Sequence, residues 1–392
     1  MGDRDLLDVA MSRRRFIGLS GLVVLGGPAA LAACSSAATP NPTATPATSL
    51  APVGSLAPAA SPSVAATPAP LTGKLVVNLE TGSYNYAQTN AWVVPFRKQN
   101  PGVNVIVDER ELDIPFIDAM HTSGKITVDE FSACPSGFTN VQMPDYFEPI
   151  DYTVVNKDEL LEGYFGDTWV TSAVSVDLLG YNTDKFKDKV PTSLADIFNT
   201  KDFPGKRTFE NRWDSTCSMA LMADGVAPES LHPLDVPRAL AKLATIKKDI
   251  VWFDSGSQVQ ELIASGEAPI GVTYNGRLMN SVLQGAHVAG VWTGGFMLEI
   301  GYWVVLKGSP DKDAAMALIA LATSKEYAGG LTNYGIAYPG VNKNQIINPA
   351  AVDWVPDSHL NLPHVLNDIT YLDWVAANAA KYQEMFQTFQ TS

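Results

Sequence analysis

The chain has 392 residues and a formal net charge of −14 at pH 7, and 46% of its residues are hydrophobic. This length is sufficient for a large core, most naturally divided between two domains or lobes. The excess of acidic residues argues against a nucleic-acid partner. The sequence also lacks a Lys/Arg-rich patch of the kind that binds a membrane surface.

The first 33 residues have the pattern of an export signal. Three arginines, Arg13 to Arg15, precede an apolar run over 16–33 that is too short and too rich in glycine for a membrane span. The stretch SRRRFI (12–17) resembles the twin-arginine export motif, and general export is the alternative. The stretch LAAC resembles a bacterial lipobox, which implies cleavage before Cys34 and a lipid on its thiol. We therefore expect an exported protein anchored by lipid to the outer face of the cytoplasmic membrane.

Residues 34–72 form a linker that consists almost entirely of Ala, Pro, Ser and Thr. Such a composition cannot bury enough apolar surface to offset chain entropy, so we expect disorder. The linker would span roughly 35 Å as a coil and on the order of 100 Å as polyproline II. A tether of this kind suits a captor that feeds a membrane partner, and it suits a surface enzyme or an adhesin equally well.

The folded part begins with a strand–helix–strand unit. KLVVNL (74–79) and VNVIV (103–107) are predicted strands. Between them, NAWVVPFRKQ (90–99) has helical apolar spacing, with Pro95 early in the helix or at a kink. A βαβ unit predicts a parallel sheet with helices on its faces.

The alternation of strands and helices recurs further along the chain. Strands are predicted at 174–181, 268–274 and 301–306, and helices at 193–198, 257–265 and 312–323. The sequence therefore predicts an α/β fold.

A series of stretches then resembles one family. In chain order they are VSVDLLGYNTDKF, PTSLADIFNTKDFPGKR, SGSQVQELIASGEAPIGVTYNGR, YWVVLKGSPDKDAAMALIALATS and YGIAYPGVNKN. This ordered set, over residues 74–390, is similar to the polyamine-type group of ABC-importer solute-binding proteins, related to spermidine- and putrescine-binding periplasmic proteins. The resemblance implies a monomer that captures a small organic solute and delivers it to a membrane permease and its ATPase, with no cofactor.

The resemblance also implies a class II periplasmic-binding-protein-like fold of two α/β lobes joined by a hinge. Lobe 1 would comprise 73–178 and 300–346, and lobe 2 would comprise 179–299 and 347–392. The chain would cross the hinge near Gly180 and between Glu299 and Gly301. A ligand that contacts both lobes would stabilise their closed form.

Family members hold their ligand between aromatic rings and polar groups. The resemblance assigns Tyr274 and Asn275 in YNGR, Tyr338 in AYPGVN and Phe138 in CPSGF to the ligand site. Aromatic rings attract an ammonium group by about 0.5 to 2 kcal/mol each. The alternative is that the three rings only pack the lobes.

The sequence departs from the family where two acids are expected, because FENRWDSTCSMAL places Arg212 and Ser215 there. A shift in alignment would instead place Glu210 or Asp214 at these positions. A third expected acid falls on a glycine, with Glu299 two residues before it.

These departures leave the charge of the ligand open. Arg212 and Arg277 would suit a carboxylate or phosphonate through bidentate pairing, which is the alternative to a polyamine. In the other interpretation, both arginines face solvent or pair with acids of the lobes.

Other functions have less support in the sequence. The mature chain has no G-x-S-x-G, H-E-x-x-H, P-loop or G-x-G-x-x-G motif, so a surface-anchored enzyme is the weaker hypothesis. The absence of repeats disfavours a structural protein. The five histidines are scattered and no Cys/His cluster predicts a metal site. Cys134 and Cys217 are expected to be buried free thiols, although an oxidising compartment would permit a disulfide.

Overall fold

The computed structural model describes residues 70–110, 114–133, 143–359, 361–367 and 369–392. The predicted export signal, Cys34, almost all of the linker, Cys134 and Phe138 lie outside these residues. Within the described ranges, no helix is long and apolar enough to cross a membrane.

The described strands form one mixed sheet in the order β2-β1-β3-β9-β4-β7-β5-β6, with β8 beside β4 and β10 beside β9. The strands are β1 (Gly73–Leu79), β2 (Val103–Glu109), β3 (Glu130–Ala133), β4 (Val170–Asn182), β5 (Arg207–Glu210), β6 (Ile250–Phe253), β7 (Ile270–Tyr274), β8 (Val288–Val291), β9 (Phe296–Val305) and β10 (His364–Asn367).

The described helices cover both faces of this sheet. They are α1 (Gly82–Gln88), α2 (Val94–Gln99), α3 (Ile114–Ser123), α4 (Met143–Tyr146), α5 (Trp213–Ala223), α6 (Val236–Ala244), α7 (Gly256–Ser265), α8 (Asn275–Leu283), α9 (Lys312–Ala322) and α10 (Ile369–Thr391). A π-helical turn, Thr89–Val93, joins α1 to α2. Pro95 lies in the first turn of α2, directly after this π-helical turn, and its missing N–H interrupts the helical hydrogen bonds there.

Local sequence signals explain where several elements begin and end. The Ser255 side chain accepts a hydrogen bond from the Gln258 N–H at the start of α7, and Gly266 ends that helix with a left-handed φ of 76°. At Ser193 the predicted helix is a 3₁₀ turn, Leu194–Phe198, closed by a capping box with Asp196.

The α/β class is confirmed, and the strand–helix–strand unit is present with β1 parallel to β2. The prediction of a parallel sheet is wrong for the centre of the molecule, where β9 is antiparallel to β3 and β4 is antiparallel to β7, β8 and β9. A βαβ unit determines the direction of its own two strands only. β4 and β9 lie between the parallel groups β1-β2-β3 and β5-β6-β7 and join them.

β4 and β9 each pair with different strands along their length. The first half of β9 pairs with β10 and the second half with β3, whereas β4 pairs with β9 over 170–177 and with β7 over 177–181. Both predicted hinge crossings fall within these two strands. The described residues belong to one compact unit, so the two lobe boundaries stay a prediction.

Two hydrophobic cores lie on the opposite faces of the sheet. One packs α3, α5, α6 and α10 against side chains such as Phe131 and Leu179. The other packs α2, α7, α8 and α9 against side chains such as Val77 and Trp303. Successive side chains of a strand point to opposite faces of the sheet. A polar side chain on a central strand therefore points towards one of these two cores.

Candidate functional site

The candidate site lies where strands of the two parallel groups end. Glu80 follows β1, Arg212 follows β5, and Tyr274 is the last residue of β7. Ligands of open α/β sheets bind at the carboxyl ends of the strands, where loops and helix N-termini converge. The loops after these strands lead into α1, α5 and α8.

The register of the central strands adds side chains from the sheet itself. Ser175 of β4 pairs with Glu299 of β9, and Asp177 of β4 pairs with Tyr274 of β7. Directly opposite residues point to the same face, and so do residues two apart on one strand. These four side chains therefore lie together on the sheet face that α5 covers.

Arg212 holds the acidic part of this site together. Its Nε lies 3.2 Å from Asp214 Oδ1 and 3.7 Å from Glu210 Oε2, and its Nη2 pairs with Glu299. These three acids come from β5, α5 and β9. Ser215 donates a hydrogen bond of 2.7 Å to Asp177 Oδ2. We refer to Asp177, Glu210, Asp214 and Glu299 as the acid cluster.

Burial strongly affects the ionisation of this cluster. Desolvation, with repulsion from Glu299 and Glu210, raises the pKa of Asp177 well above its usual value. Desolvation also raises the pKa of Glu210, against the opposing effect of Arg212. The pKa of the Tyr274 hydroxyl is raised for the same reasons, burial first and Glu210 second. The carboxyl groups of the cluster thus repel one another, and the guanidinium of Arg212 opposes this effect.

A second group of residues surrounds Arg277 in α8. Its Nη1 donates to Ser83 Oγ at 2.8 Å and its Nη2 donates to the Thr81 carbonyl at 3.3 Å. The guanidinium carbon lies 5.9 Å from the centre of the Tyr84 ring. Arg277 therefore joins α8 to the segment that follows β1.

Aromatic rings and glycines complete this group. Tyr84 meets Tyr338 edge to face, with 5.0 Å between ring centres. A Cβ on Gly276 would lie 2.5 Å from Tyr338 Cε1, and a Cβ on Gly256 would lie 2.5 Å from Arg277 Nε. Both glycines are therefore required for the close approach of these side chains.

A small cavity of about 60 Å³ lies beside Arg212 and the acid cluster. Its lining includes Ser175, two acids and the aromatic ring of Tyr84. The lining residues are Glu80, Tyr84, Ala173, Ser175, Glu299, Ile300 and Gly301.

The structure brings most of the predicted ligand residues together. Tyr274, Arg212, Ser215 and Glu299 belong to the acid cluster or contact it. Tyr338 hydrogen-bonds Arg277 at the neighbouring group. The assignment of these residues to ligand binding stays a prediction.

Asn275 has a different environment from the other predicted residues. Its Oδ1 accepts from the Val176 N–H at 2.9 Å, and its Nδ2 donates to the carbonyls of Ala337 and Trp354 at 2.7 and 2.8 Å. Both amide hydrogens are therefore engaged by backbone. This side chain fixes three segments of the site to one another.

Sequence reasoning missed Asp177, Glu80, Tyr84 and Ser175. One signal was available for Asp177, because SVDLLGY places a single carboxylate in an apolar strand whose neighbours are buried. No comparable signal marks Glu80 or Tyr84. Their proximity to the cluster depends on how β1 and β9 are arranged in the sheet.

The described residues show no group of three or more His, Cys, Asp or Glu side chains placed to hold a metal ion. Cys217 is a buried free thiol of α5, and burial raises its pKa. The site can therefore offer carboxylates, guanidinium groups, hydroxyls and aromatic rings. These are groups for binding a small polar solute.

Comparisons with known proteins agree with this chemistry. Residues 91–353 match the family described as bacterial extracellular solute-binding protein. A γ-aminobutyric acid (GABA)-binding protein of Pseudomonas aeruginosa is 30% identical over 251 residues, which are 62% of this chain and 70% of the relative.

Solved structures extend the likeness to nearly the whole described region. The Atu4243–GABA receptor is 32% identical, with a TM-score of 0.72, over 81% of this chain and 98% of that one. AgtB of A. tumefaciens R10 in complex with agropinic acid is 30% identical, with a TM-score of 0.73, over 82% and 100%.

A polyamine-binding relative is more distant. The spermidine/putrescine-binding protein PotD of Streptococcus pneumoniae shares 16% identity, with a TM-score of 0.63, over 82% of this chain and 99% of that one. This likeness shows the two-lobe periplasmic-binding-protein fold and nothing about the solute. The chain belongs to the bacterial extracellular solute-binding protein family, and it is a non-enzymatic, exported component of an ABC transporter that binds a small solute.

Proposed function

We propose that the solute is a small amino acid of the GABA type, bound through its ammonium group. The acid cluster carries this proposal, because three of its carboxylates meet at Arg212 and one of them, Glu299, also lines the cavity with Glu80. An ammonium group in this cavity would be attracted by these carboxylates. Buried charges are stable in proteins only when they are paired.

The aromatic residues in and near the cavity support the same ligand. Tyr84 and Tyr338 pack against each other near Arg277, and Tyr84 also lines the cavity with Glu80. A ring and a carboxylate on one wall suit an ammonium group, which is attracted by both. The relatives that are at least 30% identical include two GABA binders, which agrees with this choice.

The two other ligand classes have less support. A purely anionic solute would have to compete at Arg212 with the three acids that this side chain contacts. Arg277 hydrogen-bonds two neutral groups, Ser83 and the Thr81 carbonyl, and we assign it the role of joining α8 to the segment after β1. A polyamine would have to share the acid cluster with Arg212. The likeness to the polyamine binder shows the fold alone.

A thermal-shift and calorimetry series tests this proposal. We expect GABA to stabilise the protein, by about 2.7 kcal/mol at 100 times its dissociation constant. Butyrate, which lacks the ammonium group, should have no effect. Glu299→Gln, which removes a carboxylate that lines the cavity, should weaken the response to GABA, whereas Asp188→Asn, at an exposed position, is the control.

Two results would contradict the proposal. Stabilisation by butyrate or agropinic acid without stabilisation by GABA would indicate an anion site. Chemical turnover of any bound solute would indicate an enzyme.

We further propose that the lobes are 73–178 with 300–346, and 179–299 with 347–392, and that they close on the solute. The protein would then act as a monomer, tethered by a lipid on Cys34, and would pass the solute to a permease and its ATPase. Export would use the twin-arginine-type signal. Loss of the protein from the membrane fraction in Cys34→Ala tests the anchor.

A further inference from the structure

Ser83, the second residue of α1, joins that helix to two helices that lie far from it in the sequence. Its hydroxyl accepts a hydrogen bond of 2.8 Å from Arg277 Nη1 of α8. The same hydroxyl donates a hydrogen bond of 3.2 Å to Gln260 Oε1 of α7. A serine hydroxyl has one hydrogen and two lone pairs, so it can make both bonds at once. One side chain thus links α1 to residues 177 and 194 positions further along the chain.

The backbone next to Ser83 is in close contact with the same two helices. The Thr81 carbonyl accepts a hydrogen bond from Arg277 Nη2 at 3.3 Å. Gly82 has a left-handed φ of 67°, and a Cβ built on it would lie 2.3 Å from Ser257 Oγ. A larger residue at this position would be strained and would push the turn away from α7. The turn therefore fits closely against α7 and α8.

The segment that Ser83 holds carries two side chains of the candidate site. Glu80 and Tyr84, one on each side of the turn in the chain, both line the cavity. In the proposed lobes, this segment belongs to lobe 1, whereas α7 and α8 belong to lobe 2. The hydrogen bonds of Ser83 therefore connect the two lobes beside the cavity, and they would break when the lobes separate.

We propose that Ser83 is a positioning residue that clasps the closed form of the site. Through Arg277 and Gln260 it holds the turn, and with it Glu80 and Tyr84, against lobe 2. This inference rests on the proposed function, because it uses the proposed lobes and their closure. The clasp forms when the lobes close, so it slows the escape of a bound solute. It does not slow entry, because the solute enters the open form.

The rate at which GABA leaves the full chain tests this inference. It is measured by displacing radiolabelled GABA with an excess of unlabelled GABA. Ser83→Ala should speed dissociation by about tenfold, because Arg277 loses a hydrogen-bond acceptor, and should not slow association. Ser83→Thr, which keeps the hydroxyl, should retain slow dissociation. Ser123→Ala, which removes an exposed hydroxyl that bonds the Met120 carbonyl within α3, is the control.

A pair of glycine variants tests the close fit of the turn and leaves the hydroxyl of Ser83 in place. Gly124 has the same φ of 67° as Gly82, but beyond its neighbours in the chain no described heavy atom lies within 4 Å of a Cβ built on it. Gly124→Ala and Gly82→Ala therefore share the backbone strain, and only Gly82→Ala disturbs the contact with α7. We expect Gly82→Ala alone to speed the release of GABA. Equal rates of release in the two variants would overturn the role of this contact.

Hydrogen–deuterium exchange of the full chain without added solute tests the clasp independently of the ligand. Ser83→Ala should raise exchange in peptides that cover 80–88 and also in peptides that cover 256–265, because both sides of a broken clasp open together. A rise confined to 80–88 would show a local role of Ser83 and would overturn the inference.

The outcomes separate this inference from the proposed function. If Ser83→Ala releases GABA at the wild-type rate, the clasp is overturned and the proposed function stands. If GABA binds neither to wild-type protein nor to any variant, the proposed ligand class fails, and the exchange experiment alone decides whether the clasp exists.

Discussion

Asp177 and Glu130 are two fully buried carboxyl groups with different surroundings. Asp177 accepts a hydrogen bond from Ser215 and lies near Arg212. Glu130 of β3 is fully buried, and neither of its carboxylate oxygens has a hydrogen-bond partner within the described ranges. Burial, followed by repulsion from Asp129, raises the pKa of Glu130 well above its usual value. Asp177 belongs to the proposed ligand site, whereas Glu130 lies outside it and its burial carries an electrostatic cost.

Glu130 should make the stability of the protein depend on pH. A carboxyl with a raised folded-state pKa favours folding when it is protonated, so its contribution is fully present below the unfolded pKa. This contribution is lost as the pH rises towards the folded pKa. Glu130→Gln should therefore raise the melting temperature at pH 8 and have little effect near pH 4. Glu162→Gln, at an exposed position, is the control in the same calorimetric scans.

An equal effect of Glu130→Gln at both pH values would contradict this prediction. It would mean that Glu130 gains a partner that satisfies its charge, or that the substitution acts through packing. A lower melting temperature of Glu130→Gln at pH 8 would contradict the prediction as well.

At the scale of elements, the junction between β7 and α8 connects most parts of the site. Tyr274 ends the strand beside Asp177, Asn275 binds β4 and the segment 337–354, and Arg277 reaches the segment after β1. One turn of helix thus contacts elements that are distant in the chain. Side chains at the first turn of a helix point towards the strand end that precedes them, which explains why this junction carries so many contacts.

Arg277 should act by joining these elements and should not contact the carboxylate of the ligand. We expect Arg277→Ala to weaken the binding of GABA and of butylamine by the same factor. This factor is about tenfold if contacts worth about 1.4 kcal/mol are lost. Butylamine shares the ammonium group of GABA and lacks its carboxylate. Arg238→Ala removes an exposed arginine that pairs with Asp224 and serves as the control.

Calorimetric titration with both amines distinguishes the two roles of Arg277. A loss confined to GABA would show that Arg277 binds the carboxylate directly. That result would support the anion interpretation of this arginine.

At the scale of the whole molecule, the proposed hinge would let the site close on its solute. The cavity of about 60 Å³ is lined in part by residues of β4 and β9. β4 and β9 are the segments that would bend, because they alone join the two parallel groups of the described sheet.

Closure should therefore be visible in solution. We expect the radius of gyration of residues 73–392, measured by small-angle X-ray scattering, to decrease when GABA is added at saturation. The physical reason is that a ligand contacting both sides of the site stabilises the closed form over the open form. Butyrate at the same concentration is the control. An unchanged radius with saturating GABA would contradict a hinge motion.

Much of the fold followed from local patterns in the sequence. The strand at the start of the folded region, the early position of Pro95 in its helix and the helix from Lys312 all appear where apolar periodicity and turn residues place them. The ordered motifs also led to the solute-binding protein family, whereas the polyamine-type group within it is not shown. These features depend on residues close together in the chain, so the sequence alone determines them.

The surroundings of the two arginines were decided by tertiary structure alone. β9 brings Glu299 to Arg212, and the segment after β1 brings Ser83 to Arg277. Asp177 entered the site because β4 pairs with β7 in one particular register. Strand direction and register arise from contacts between residues far apart in the chain, which no local pattern of apolar and polar residues encodes.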